Sequence, residues 1–303
     1  MITMSEVLMK SLVKTDYVRR RVLVLGASGM LGNAVLRSFS ESEEFTVIGT
    51  TRSTSAISNL PGNLQHLVVT GVDVDNNDSL IDAFVKYTPD VVINCVGLVK
   101  QLAAADDPLT AIPINSLLPH RLAKLCQVGG ARFIHISTDC VFSGFKGMYV
   151  ESDVPDAQDL YGRSKLLGEV DYPNSVTLRT SIIGHELAGA RSLVGWFLAQ
   201  TGSIKGFNRA FFSGLPTVEL ARVIRDFVIP NSNIRGLYHV SAGRINKYDL
   251  LKLIASVYEK AIEIAPDDKL VIDRSLNGDR FREATGYIAP EWPALIKTMH
   301  SYN

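Results

Sequence analysis

The sequence has no surplus of either charge: 31 Lys and Arg stand against 31 Asp and Glu in 303 residues. Nucleic-acid binders usually carry a basic excess or stripe, and membrane-surface proteins a polybasic segment, so both classes are disfavoured. No stretch approaches the roughly 18 uninterrupted apolar residues that a spanning helix needs, and no membrane association is expected. Cysteine is scarce. Cys95, Cys126 and Cys140 form no CxxC pair and cannot build a disulfide framework. Buried, reduced thiols in a reducing, cytoplasmic compartment are expected instead. A secretory leader is not recognisable, because Glu6, Lys10 and Lys14 break the early apolar residues and no small-residue cleavage site follows. Residues 1–19 read as a tail or docking helix ahead of the fold. No cluster of carboxylates or histidines has metal-ligand spacing, so no metal is expected. His135, His185 and His239 are scattered and read as satisfied core or loop residues.

What is present is apolar material. Hydrophobic residues make up 46% and charged residues 20%, which excludes a disordered chain. Short Val/Ile-rich runs at 21–26, 45–49, 66–69, 90–95, 132–137 and 175–180 read as strands. Helical patterns at 30–39, 77–86, 109–127 and 160–170 alternate with them. Strands with little polar alternation are buried on both faces, and helical crossovers between them imply a parallel sheet. Right-handed crossovers then give a doubly wound, Rossmann-type α/β sheet over residues 20–180. Beyond Thr180 the alternation loosens. Helices at 191–201, 218–227, 247–258 and 293–299 and short strands near 211–214 and 236–240 suggest a smaller α/β substrate lobe over 181–303. That lobe is expected to return to the sheet at least once.

Gly26-Ala27-Ser28-Gly29-Met30-Leu31-Gly32 follows the first strand and opens the first helix. The turn needs bare backbone where the chain reverses and where a pyrophosphate approaches, and its last glycine lets helix pack on strand. The helix N-terminus then points free N–H groups at the phosphates. After the second strand the chain reads Gly49-Thr50-Thr51-Arg52-Ser53. No carboxylate is there to hold a ribose 2′-hydroxyl, whereas Arg52 can pair with a 2′-phosphate, so NADPH is expected over NADH. Asp73, past the third strand, is either a contact to the adenine edge or a turn residue.

Tyr161 and Lys165 stand four apart on a helix, hence on one face. A nearby ammonium favours the phenolate, and a phenol so tuned can protonate a carbonyl oxygen as hydride reaches carbon. The spacing also occurs at Tyr248 and Lys252, but that pair lies in a late amphipathic helix away from the sheet edge. Thr138 ends the fifth strand, where a hydroxyl could orient the carbonyl toward Tyr161.

These residues resemble the short-chain dehydrogenase/reductase superfamily in its extended, sugar-nucleotide branch, nearest the dTDP-4-dehydrorhamnose reductases. The segments that carry the resemblance are VLGASGMLG at 24–32, VVIN at 91–94, Asn115, ISTDCVFSG at 136–144, YGRSKLLGE at 161–169, LRTS at 178–181, GLPT at 214–217 and GLYHVS at 236–241. The resemblance implies NADPH-dependent reduction of a 4-keto group on a nucleotide-linked 6-deoxyhexose. Thr138 would orient the carbonyl, Tyr161 would be the acid, and Lys165 would hold the nicotinamide ribose and tune Tyr161. Cofactor contacts would come from Gly26, Ser28, Gly29, Met30, Leu31, Gly32, Arg52, Asp73, Val74, Asn94, Cys95, Val96, Asn115 and Lys165. Asn115 would be the helix-bend residue near Lys165. Substrate contacts would come from Asp139, Val141, Phe142, Pro216 and Thr217. A homodimer is compatible with the resemblance. Cys140 departs from the branch, where a tyrosine is usual, as do VVINCVGLVKQ (91–101) and DRSLNGDRF (273–281). Two other readings fit the same scaffold. One is a sugar-nucleotide epimerase or a reductase of an N-acetylated keto sugar. The other is a non-catalytic, NADP-binding regulatory subunit similar to that of methionine adenosyltransferase.

Overall fold

The computed structural model describes residues 19–99 and 103–302. The proposed tail lies outside them except for Arg19. Seven strands form the central sheet: β1 (Arg20–Leu25), β2 (Phe45–Thr51), β3 (Val68–Thr70), β4 (Val91–Asn94), β5 (Arg132–Thr138), β6 (Ser175–Thr180) and, after an excursion, β11 (Gly236–His239). Their spatial order is β11-β6-β5-β4-β1-β2-β3, and every pairing is parallel. The order reverses between β1 and β4, the switch point where doubly wound sheets open a ligand crevice. Helices α1 (Met30–Ser40), α2 (Asn77–Tyr87), α3 (Pro108–Ala111), α4 (Leu118–Gly129) and α5 (Leu160–Leu167) make the crossovers.

Departures from the expected elements have local causes. The third strand begins at Val68 rather than His66, because Gly62–Leu67 winds into a 3₁₀ turn that buries Leu64. The crossover expected at 109–127 runs from Pro108 to Gly129 with a π turn at Ile112–Leu117. Pro113 lacks an N–H and crowds the preceding turn, and the wider π turn absorbs both defects. The helix expected to reach Val170 stops at Leu167. There the chain crosses the π turn so closely that a Cβ on Gly168 would collide with the Asn115 carbonyl.

The rest of the chain adds β7 (Ile182–Ile183), α6 (Leu193–Ala199), β8 (Ser203–Phe207), β9 (Ala210–Phe212), β10 (Leu215–Pro216) and α7 (Thr217–Val223) before β11. After it come β12 (Ile245–Asn246), α8 (Lys247–Val257), β13 (Glu263–Asp267), β14 (Ile272–Asp273), α9 (Asp279–Thr285) and α10 (Trp292–Ser301). The small strands form two pairs, β10-β7 and β13-β8, and a β12-β9-β14 triplet. One core runs from Val22, Val35 and Phe39 through Val176 and Leu178 to Phe281 and Leu295, so lobe and sheet share it. A second covers the other face with Leu25, Leu80, Leu118, Leu122 and Phe133. Among the described residues no helix is long and apolar enough to cross a membrane.

Candidate active site

The turn after β1 is built for close approach. Gly26 has φ +82°, a conformation that costs a side chain dearly, and a Cβ there would press on Val96 and Cys95 beyond β4. A Cβ on Gly32 would collide with the Gly26 carbonyl, so only glycine lets α1 start so near the turn. Gly29 caps α1 without any side-chain bond and is exposed. The first N–H groups of α1 therefore face outward, as a bound anion requires. Ala27 N donates to Thr50 O (3.0 Å) and Cys95 N to Leu25 O (3.1 Å), which ties the turn to the ends of β2 and β4. Ser28 and Met30 are half-buried along it, and Leu31 is buried against the sheet.

Arg52 lies exposed just past β2, and its guanidinium makes no hydrogen bond or ion pair among the described residues. Asp73 is half-buried, and its Oδ1 accepts the Asp75 N–H (3.1 Å), a turn role. Val74 packs on the second core beside Val96. Asn94 is buried; its Oδ1 accepts from Val96 N (3.1 Å) and its amide nitrogen donates to His135 Nδ1 (3.2 Å). Cys95 is a free thiol pushed up to about 12 by burial, so it stays protonated. His135 corrects its expected reading as a satisfied core histidine: its buried Nε2 has no partner among the described residues. Burial and the neighbouring Lys165 hold it well below the usual imidazole range, hence neutral.

Asp159 caps α5 by accepting from Gly162 N (2.8 Å), and the helix carries Tyr161 and Lys165 to the end of β5. Lys165 is buried, and its Nζ donates to Ile136 O (2.8 Å). Asn115 lies in the π turn, accepts from Leu98 N (2.9 Å) and donates to Ser164 Oγ (3.1 Å). Gly97 runs between the two: a Cβ there would stand 3.5 Å from Asn115 Oδ1 and 3.7 Å from Lys165 Nζ. Thr138 Oγ1 donates to Asp139 Oδ1 (3.2 Å) and accepts from Cys140 N (3.1 Å). Burial is the leading influence on Tyr161 and drives its phenol well above the ordinary range; Cys140 pushes the same way, and Thr138 opposes as a hydrogen-bond partner. The lowering of Tyr161 expected from Lys165 is not found: Lys165 is not among the groups that act on the phenol, and burial, with Cys140, Asp139 and Asp159, raises it. Lys165 is itself pulled down to about 8 by burial, with Glu169 opposing.

Among the residues expected to contact substrate, Asp139 is buried and raised by that burial, against the opposing charges of Arg274 and Lys247. Val141 and Phe142 are fully enclosed with Tyr149 and Leu276, so their side chains support the site from below rather than face a ligand. Pro216 and Thr217 are buried at the start of α7, and Thr217 packs against Gly184 beyond β7. Sequence reasoning missed Arg274, whose Nε donates to Phe142 O (2.7 Å), and Lys247, at the start of α8. No local pattern announces either, since the β12-β9-β14 triplet delivers them. The rejected pair, Tyr248 and Lys252, makes a cation–π contact at 5.3 Å on α8, where Tyr248 packs on Gly206.

The family profile described as RmlD substrate binding domain matches residues 20–270. A probable low-salt glycan biosynthesis reductase of Haloferax volcanii is 28% identical, covering 86% of this chain and 85% of its own. Methionine adenosyltransferase 2 subunit beta of Danio rerio is 30% identical over 81% of this chain and 76% of its own. The crystal structure of dTDP-4-dehydrorhamnose reductase from Bacillus anthracis in complex with NADP superposes with a TM-score of 0.77 at 21% identity, covering 94% of this chain and all of that one.

Proposed function

Because the chain belongs to the RmlD substrate binding domain family, we propose that it is an NADPH-dependent reductase of the 4-keto group of a nucleotide-activated 6-deoxyhexose. The observation that carries this reading is the meeting of Tyr161 with Thr138 at the end of β5, one helical turn from Lys165. The glycine turn and the exposed Arg52, without a partner among the described residues, fit a dinucleotide with a 2′-phosphate. When bound, NADPH supplies the hydride for C4 of the sugar. Tyr161 gives its phenolic proton to the C4 oxygen, so that ketone becomes alcohol and phenol becomes phenolate. Thr138 turns its hydroxyl from Asp139 to the same oxygen and orients it. Lys165, fixed by Ile136, holds the ribose and offers positive charge to the phenolate until solvent returns the proton.

The test is loss of NADPH absorbance with a dTDP-linked 4-keto-6-deoxyhexose. Turnover supports the proposal. No turnover over a panel of nucleotide-linked 4-keto sugars, with NADPH binding intact, would sink it. The second reading, a non-catalytic regulatory subunit, draws on the similarity to the Danio rerio protein. Under that reading the protein would bind NADPH and alter the kinetics of a methionine adenosyltransferase catalytic chain without consuming cofactor.

A further inference from the structure

Beneath the end of β5 lies a buried ion pair that this chemistry leaves unused. The Glu169 carboxylate accepts from Arg179 Nε (2.7 Å) and Nη2 (2.6 Å) and from Ser137 Oγ (2.7 Å). The arginine and glutamate side chains are only 3% and 11% exposed. A bidentate fork of this kind fixes the plane of both groups. Buried pairs seldom add stability over apolar residues of equal volume, so stability alone is a weak account of this one.

The pair reaches both Lys165 and the neighbour of Thr138. Ser137 precedes Thr138 on β5, and Glu169 follows Lys165 by four residues. Arg179 Nη1 continues to His239 Nε2 (3.3 Å), which is neutral because burial pulls it down to about 4. Its guanidinium also lies 5.2 Å from the centre of the Phe142 ring, under the turn after β5. The segments packed on α5 carry other ionisable groups, His135 on β5, Asp139 and Cys140 in the turn 139–141 and Asp106 in the turn 103–106, and of these His135 feels the Lys165 charge. Glu169 is the charge that acts on Lys165 against its burial.

We propose that Glu169 and Arg179 are positioning residues for the reaction: their ion pair ties the end of α5 to β5 and β6, and so holds the Lys165 ammonium in register with Thr138. The inference rests on the reductase reading. Neither residue is placed in contact with substrate.

The experiment compares the full-length protein with Glu169→Gln, Glu169→Asp and the double variant Glu169→Gln/Arg179→Met, which leaves no unpaired buried charge. In the wild type, kcat/KM should fall above pH about 8, where Lys165 loses its proton. Glu169→Gln and the double variant should move that limb down by about one pH unit, and lower kcat about tenfold or more with a smaller change in KM for NADPH. Glu169→Asp should restore the limb, since it keeps the charge. Folded variants with a wild-type limb and kcat would overturn the proposal. Titration of the Lys165 side chain by NMR of 13C-labelled lysine, assigned with Lys165→Arg, needs no turnover. If the wild type reduces none of the sugars, the reductase reading fails, and an unchanged Lys165 midpoint in the double variant separately overturns the positioning role.

Discussion

Burial keeps the Tyr161 phenol protonated at any working pH, which suits a proton donor rather than a base. Tyr161→Phe removes that proton and little else. It should lower kcat at least ~10²-fold while NADPH affinity, read by fluorescence titration, stays unchanged; retained turnover would place the acid elsewhere. Arg52 is the other side chain with one clear task, since it has no partner among the described residues. Arg52→Ala should weaken NADPH binding about tenfold, the scale of one charge-assisted hydrogen bond, and leave NADH binding alone. Calorimetric titration with both cofactors checks this, and equal losses for both would refute it. Tyr161, Lys165 and Arg52 were legible because each stands at a fixed spacing from a strand end or a helical partner. Glu169 carried a faint signal, four residues from Lys165, but nothing local pointed to Arg179.

The strand, turn and helix from Arg20 to Ser40 show what a short segment dictates by itself. Gly26 and Gly32 are set by backbone conformation and by the spacing between α1 and the turn. Gly32→Ala forces a methyl group into the Gly26 carbonyl, so α1 must slide outward. Overpacking of this kind costs about 1–3 kcal/mol. The variant should show a lower Tm and a loss of NADPH affinity larger than that loss of stability implies. A variant that binds NADPH normally would show that the turn has slack. The helix expected at 109–127 shows the opposite case. Its existence was legible from apolar periodicity, but its π turn was not. That turn places Asn115 between Leu98 and Ser164, contacts from distant parts of the chain.

The elements after Thr180 are not hung on the sheet by a linker; one apolar core runs through both. The C-terminal helix closes the assembly. Arg37 on α1 donates to Tyr302 O (2.7 Å) and stacks 4.0 Å from the centre of its ring. Leu295 on α10 is buried in the same core, so Leu295→Ala should cost about 2–5 kcal/mol. Scanning calorimetry should show one transition at lower temperature, with the cofactor turn and the lobe unfolding together. Two resolved transitions would mean that the halves fold separately. The alternating strand and helix pattern, the glycine turn and the Tyr161–Lys165 spacing were written in the sequence, because each follows from contacts within a few residues. The sheet order, the cations Lys247 and Arg274 near Asp139, and the Glu169–Arg179 pair were decided only by tertiary structure. They join residues from separate strands, and local periodicity carries no information about which strand ends will meet.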